Sequence, residues 1–143
     1  MNLKDKGLFK QKNYINGNWV DANSKDSFDV VNPSDQKIIG TMPNSSKEDT
    51  IEAINSANNS WSSWKSLTGK ERSGYIRKWH HLILENIDDL ALIMTLENGK
   101  PLEDSKGEIV YASWFTDWFA EEAKRTYGKT IPSTIKGRRI ITI

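Results

Sequence analysis

Residues 96–132 read LENGKPLEDSKGEIVYASWFTDWFAEEAKRTYGKTIP, and the fold turns on how this stretch is read. Trp114, Phe115, Trp118 and Phe119 recur at spacings of one, three and four. That spacing predicts one wide apolar stripe on a helix, beginning a turn earlier at Tyr111. Asn98-Gly99 closes the preceding segment, with Gly99 a suitable residue just past a helix end. Pro101 fits the first turn of the long helix that follows, which the pattern carries to near Gly128. Glu121 and Arg125 stand four apart in the favourable orientation, as an ion pair on a solvated face.

Upstream, Tyr14-Ile-Asn-Gly-Asn-Trp-Val places Asn16-Gly17 between alternating apolar residues, a strong hairpin signal. Phe28–Val31 reads as a short strand ended by Asn32-Pro33, with Lys37–Met42 as its partner, closed by Pro43. Ser45 with Glu48 has the spacing of a capping box, followed by Ile51, Ile54, Ala57, Trp61 and Trp64 at helical intervals. Thr68 with Glu71 repeats the device ahead of Tyr75, Ile76, Trp79 and Ile83. Asn86, with Asp89, is expected to cap a third helix running to Gly99. Downstream, residues 137–143 (GRRIITI) read as one strand, for which the sequence offers no evident partner. The predicted order is a β-hairpin region, four helices and a terminal strand, an incomplete α/β architecture.

Composition narrows the function classes. The chain of 143 residues has 20 basic and 19 acidic residues mixed along its length, for a net charge of +1. Nucleic acid and anionic membranes need a clustered basic face, so neither is expected as a partner. The group Lys136, Arg138 and Arg139 is too isolated to support a nucleic-acid-binding reading. No apolar run approaches the roughly 20 residues that span a bilayer, and the N-terminus lacks the apolar core of a secretory signal. There is no cysteine, which suits a reducing compartment, and the expected location is cytoplasmic. Apolar content is thin, at 36%, but the apolar residues are bulky: six Trp, four Phe and fifteen Ile. Such side chains are costly to leave in water, so the chain looks like part of a larger core.

Motif by motif, the chemistry is sparse. His80-His81 are the only histidines. Adjacent helical residues point about 100° apart, so the two cannot face one ion, and no metal site is expected. Gly128-Lys129-Thr130 invites a phosphate-loop reading, but Ala123 stands where that pattern needs its first glycine. Gly128 is better read as a helix end in the left-handed conformation. No GxGxxG occurs, so no dinucleotide fingerprint is present. The aromatic stripe has two readings that hold on different edges of one helix: a buried core stripe, and the wall of a substrate channel.

The segments Tyr14–Val20, Val31-Asn32-Pro33, Trp61-x-x-Trp64, Lys70-Glu71-Arg72 and the block from Glu97 to Pro132 together resemble the N-terminal third of the aldehyde dehydrogenase superfamily. The string from Trp118 to Arg125, Trp-Phe-Ala-Glu-Glu-Ala-Lys-Arg, is similar to its succinate-semialdehyde branch. The resemblance implies an α/β fold divided into an N-terminal extension (1–13), the N-terminal part of a cofactor-binding domain (14–132) and the start of an oligomerisation arm (133–143). It implies an NAD- or NADP-dependent enzyme that oxidises succinate semialdehyde to succinate in 4-aminobutyrate degradation, through a cysteine nucleophile and a glutamate-activated water. Those catalytic and cofactor-binding parts have no match in the 143 residues, so the chain is expected to be a C-terminally truncated fragment, inactive alone and binding neither cofactor. The resemblance implies Tyr111, and next Phe115, as lining residues of the substrate tunnel. The alternative reading is a non-catalytic interaction module that self-associates or docks onto a complementary or full-length aldehyde dehydrogenase chain.

Overall fold

A computed structural model describes residues 1–143. Strand β1 (Asn13–Ile15) and strand β2 (Asn18–Val20) form an antiparallel hairpin with Tyr14 opposite Trp19. Asn16 (φ 50°) and Gly17 (φ 77°) both take positive φ at the turn, the conformation that matches the twist of the flanking strands. Lys10 lays its Nζ 5.3 Å above the Trp19 ring. Strand β3 (Ser27–Val31) pairs with β4 (Ile38–Pro43), with an irregularity between Val30 and Val31. Gln11 Oε1 accepts from Thr41 N at 2.8 Å, which ties the N-terminal segment to β4.

Four helices follow: α1 (Lys47–Ser66), α2 (Gly69–Glu85), α3 (Ile87–Asn98) and α4 (Leu102–Glu122). The Thr68–Glu71 capping box forms as its spacing predicts. The first box sits one residue later than expected. Ser46 Oγ accepts from Asp49 N (3.3 Å), and Asp49 returns a carboxylate oxygen to Ser46 N (2.7 Å). Asp49 wins over Glu48 because its other oxygen accepts from Asn23 N (3.0 Å), a tie to the β2–β3 connection. Ser45 instead accepts from the Asn13 side chain at 2.6 Å. The cap expected of Asn86 also fails, because its side-chain amide is used by the preceding helix, donating to Leu82 O. Asp89 accepts from the backbone of Lys4 (3.0 Å) and Asp5 (2.8 Å). That latch holds the first residues against α3 and buries Leu3.

Gly99 ends α3 in the left-handed conformation (φ 83°), as read from sequence. Pro101 stands just before α4 rather than in its first turn, and α4 stops at Glu122, short of Gly128. Gly128 is not left-handed. It is needed for close approach, since a Cβ there would fall 1.7 Å from Thr142 O. The terminal strand is not alone: β5 (Thr130–Pro132) pairs antiparallel with β6 (Arg139–Ile141), and Lys129 and Thr142 exchange backbone hydrogen bonds beyond it. The expectation of an unpaired strand failed because the pairing is local, across a turn carrying Gly137 at φ 82°. Each sheet is an isolated two-stranded ribbon, a type that is marginal in water on its own.

Carboxylates that accept backbone amides or lie beside lysines carry much of this architecture. The amides of Ser46 and Asn23 hold Asp49 below its ordinary pKa. The amide and hydroxyl of Thr68 do the same for Glu71, and hydrogen bonds from Lys4 and Lys106 for Asp88. A folded pKa below the unfolded value adds stability above the unfolded value, and that stability is lost as pH falls through the folded value. Urea melts should therefore show stability steady near neutrality and declining below about pH 4. Asp49→Asn should lower stability at pH 7 and flatten that acid decline; an unchanged pH profile in the variant would count against the tie.

Candidate functional site

The site begins with how α4 is turned. Its buried residues are Ser105, Ser113, Thr116 and Ala120, with Ser105 and Ala120 at 0% exposure, and Ile109 lies half-buried among them. Small residues at these positions let α4 approach α3 and α2 closely. Ser105 Oγ bonds Thr95 Oγ1 of α3 at 2.8 Å. Thr116 Oγ1 donates to Ser113 O, and His80 Nδ1 of α2 lies 3.0 Å from the same carbonyl and 3.2 Å from Thr116 Oγ1, a polar contact that joins the two helices. Arg77 reaches from α2 to Asp117 (3.1 Å) and to Glu121. His80 is thus a tie between helices, and no three His, Cys, Asp or Glu side chains converge as metal ligands.

The expected Glu121–Arg125 pair does not form. Glu121 is taken by Lys124 and Arg77, and Arg125 pairs with Glu122. The hydrogen bond from Lys124, followed by the charges of Lys124, Arg77 and Arg125, holds the Glu121 carboxyl below its usual range. Sequence spacing within α4 could not reveal Arg77, which comes from a different helix.

With small residues inward, the aromatic stripe faces outward. Trp114 and Trp118 are 62% and 64% exposed, and Tyr111, Phe115 and Phe119 are exposed as well. The reading of this stripe as a buried core is therefore wrong within this chain, because the α2–α4 contact is made by the opposite, small-residue face. Tyr111 packs edge-on against Phe115 (5.1 Å) and Trp114 (5.9 Å). The five rings line an open recess of about 340 Å³. A neighbouring recess of about 490 Å³ adds Ile76 and Trp79 of α2 to Tyr111, Phe115 and Phe119. Tyr111 and Phe115, the two residues singled out as channel lining, border both recesses. Ile76 and Trp79 are the addition the structure makes, and their signal was the apolar stripe of α2.

Such a surface can hold apolar matter. A phosphate favours a helix N-terminus with free amides and positive field, yet every first turn here carries acid: Glu48 and Asp49, Glu71, Asp88 and Asp89, and Glu103 and Asp104. No helix is long and apolar enough to cross a membrane.

Comparison with known proteins places these features in context. The model of the aldehyde dehydrogenase family matches residues 19–143. The glutarate-semialdehyde dehydrogenase of Pseudomonas putida is 50% identical over 143 residues, covering 100% of this chain and 30% of the relative. The NADP(+) succinate-semialdehyde dehydrogenase of Escherichia coli is 48% identical, with the same coverage. Among solved structures, an NADP-dependent enzyme of E. coli superposes with a TM-score of 0.93 at 47% identity, over 98% of this chain and 29% of that one. An aldehyde dehydrogenase of Brucella melitensis gives 0.94 at 48% identity, over 99% and 29%. The chain thus spans about 30% of the length of the curated relatives it matches.

The orientation of α4 has a direct test in urea unfolding of the 143-residue chain followed by circular dichroism. Trp114→Ser and Trp118→Ser should change stability by no more than about 0.5 kcal/mol, as surface substitutions do. Ala120→Leu should cost about 1–3 kcal/mol by overpacking the contact between helices.

Proposed function

The chain belongs to the aldehyde dehydrogenase family, and from that premise we propose that it forms the N-terminal scaffold of an NAD(P)-dependent oxidoreductase of the succinate-semialdehyde type. The observation that carries this reading is identity of 48–50% along the entire chain to enzymes named for succinate semialdehyde and glutarate semialdehyde. Those two compounds differ by one methylene, so the substrate class is a short aldehyde with a carboxylate at its far end. The reaction proposed is oxidation of the aldehyde to the acid, with hydride transferred to a nicotinamide cofactor. NADP is the first cofactor to test, since the E. coli relative is named for it.

Within that enzyme the chain's role is positional. The thiol nucleophile of the family's chemistry has no counterpart in these 143 residues, which include no cysteine. The acidic first turns of the helices leave cofactor binding to the rest of the fold. Tyr111 and Phe115 serve as one wall of the substrate tunnel, where flat rings guide a short carbon chain without offering it a competing polar group.

The test uses two proteins: the 143-residue chain, and a chimera in which it replaces its matching part of the E. coli enzyme. With succinate semialdehyde and NADP or NAD, the isolated chain should produce no reduced nicotinamide above a heat-killed control, and the chimera should turn over. Tyr111→Ala in the chimera should raise KM for the semialdehyde about tenfold, the equivalent of about 1.4 kcal/mol, and leave KM for the cofactor unchanged. Turnover by the isolated chain, or a folded chimera inert toward both semialdehydes, would refute the proposal.

A further inference from the structure

Two side chains of α2 reach α4 by hydrogen bonds, at different depths. Arg77 meets Asp117 and Glu121 at the edge, where all three side chains are 40% exposed or more. Ion pairs open to water contribute little. His80 stands about one turn further along α2. Its Nδ1 lies 3.0 Å from Ser113 O and 3.2 Å from Thr116 Oγ1. Ser113 is 1% exposed and Thr116 8%, so this second contact sits inside the seam between the helices.

The inner contact is not there to rescue a stranded polar group. Thr116 Oγ1 donates to Ser113 O at 2.7 Å without help from α2, and only an unsatisfied group would be costly. What His80 adds is a fixed direction. The two helices run antiparallel along the seam, with Arg77 meeting positions 117 and 121 and His80 meeting 113 and 116. A helix tied only at its edge can still roll about its axis against small residues. A tie inside the seam stops that roll, and with about 100° between successive residues even a small roll swings the outer rings.

Tyr111 and Phe115 bracket Ser113 in sequence, and Thr116 itself borders the recess that these two rings share with Ile76 and Trp79. Tyr111 packs edge-on against Phe115 at 5.1 Å, so the two rings move together. Placement matters here, because a shift of about 1 Å in a group that positions substrate can cost about a hundredfold in rate. We infer that His80 is a positioning residue: from behind the wall, through Ser113 O and Thr116 Oγ1, it sets the roll of α4 and so the aim of Tyr111 at the semialdehyde. His80 needs no contact with substrate to do this. The inference rests on the proposed dehydrogenase function, with Tyr111 as tunnel lining.

The test uses the chimera with the E. coli enzyme and the 143-residue chain itself. In the chimera, His80→Leu should raise KM for succinate semialdehyde about fivefold while kcat and KM for NADP change less than about twofold. His80→Asn, whose amide can bond from the Nδ1 position, should restore most of that loss. Arg77→Gln should move the same KM less than about twofold, although it too unties the helices. In a Tyr111→Ala background, His80→Leu should add less than about twofold, because the ring it aims is gone. In the 143-residue chain, nuclear Overhauser contacts among the Tyr111 ring, the Phe115 ring and the Thr116 methyl should change in His80→Leu and return in His80→Asn. Three results would overturn the inference: a KM that rises in Tyr111→Ala but not in His80→Leu, equal effects of Arg77→Gln and His80→Leu, or full additivity with Tyr111→Ala. A folded but inert chimera would sink the functional reading instead. In that case, or with a chimera that does not fold, the 143-residue chain decides: ring contacts that depend on His80 support the positioning role, and unaltered contacts refute it.

Discussion

The close approach of α4 to α2 and α3 governs the rest of this molecule. Helices can approach at short distance only if the side chains between them are small. Ser105, Ser113, Thr116 and Ala120 meet that demand over almost the full length of α4. Their hydroxyls do not remain orphaned in the contact, because each bonds a carbonyl or a partner hydroxyl nearby. Once this face is committed inward, geometry leaves no choice for the rings. Positions 111, 114 and 118 fall on the far side of the same cylinder and 115 and 119 on its flank beside α2, so the surface that holds apolar matter is a consequence of the small-residue seam.

The polar ties follow a second rule. With so little apolar burial, segments far apart in sequence are held by carboxylates that accept backbone amides. Asp89 takes Lys4 and Asp5, and Asp49 takes Ser46 and Asn23. A carboxylate with two oxygens suits this work, since it can satisfy two donors at once and each bond to a charged acceptor is stronger than a neutral one. The same carboxylates give the helix N-termini a negative character.

Much of the local structure was legible. Asn16-Gly17 specified a turn, Thr68 with Glu71 specified a cap, and Gly99 specified a stop, each within a window of three or four residues. The errors arose where two local solutions competed. Ser45–Glu48 and Ser46–Asp49 have the same spacing, and the choice fell to Asn23, 26 residues away from Asp49. Asn86 looked like a cap, yet its amide served the helix behind it. The β5–β6 hairpin escaped notice because Thr130–Pro132 is short and contains proline. Of the candidate site, Tyr111 and Phe115 were named from the family resemblance, while Ile76 and Trp79 entered through the packing of a second helix.

The amino-acid sequence by itself determined the element types, the turns and the kinship to aldehyde dehydrogenases, because those depend on neighbours along the chain and on word order. Tertiary structure alone decided which side of α4 faces inward, that His80 bonds Ser113 O, and that Arg77 rather than Arg125 shares Glu121 with Lys124. The physical reason is that a helix carrying small residues on one side and rings on the other can bury either. The side that wins is set by what its neighbours can fit against, and that information lies 33 to 44 residues away on α2.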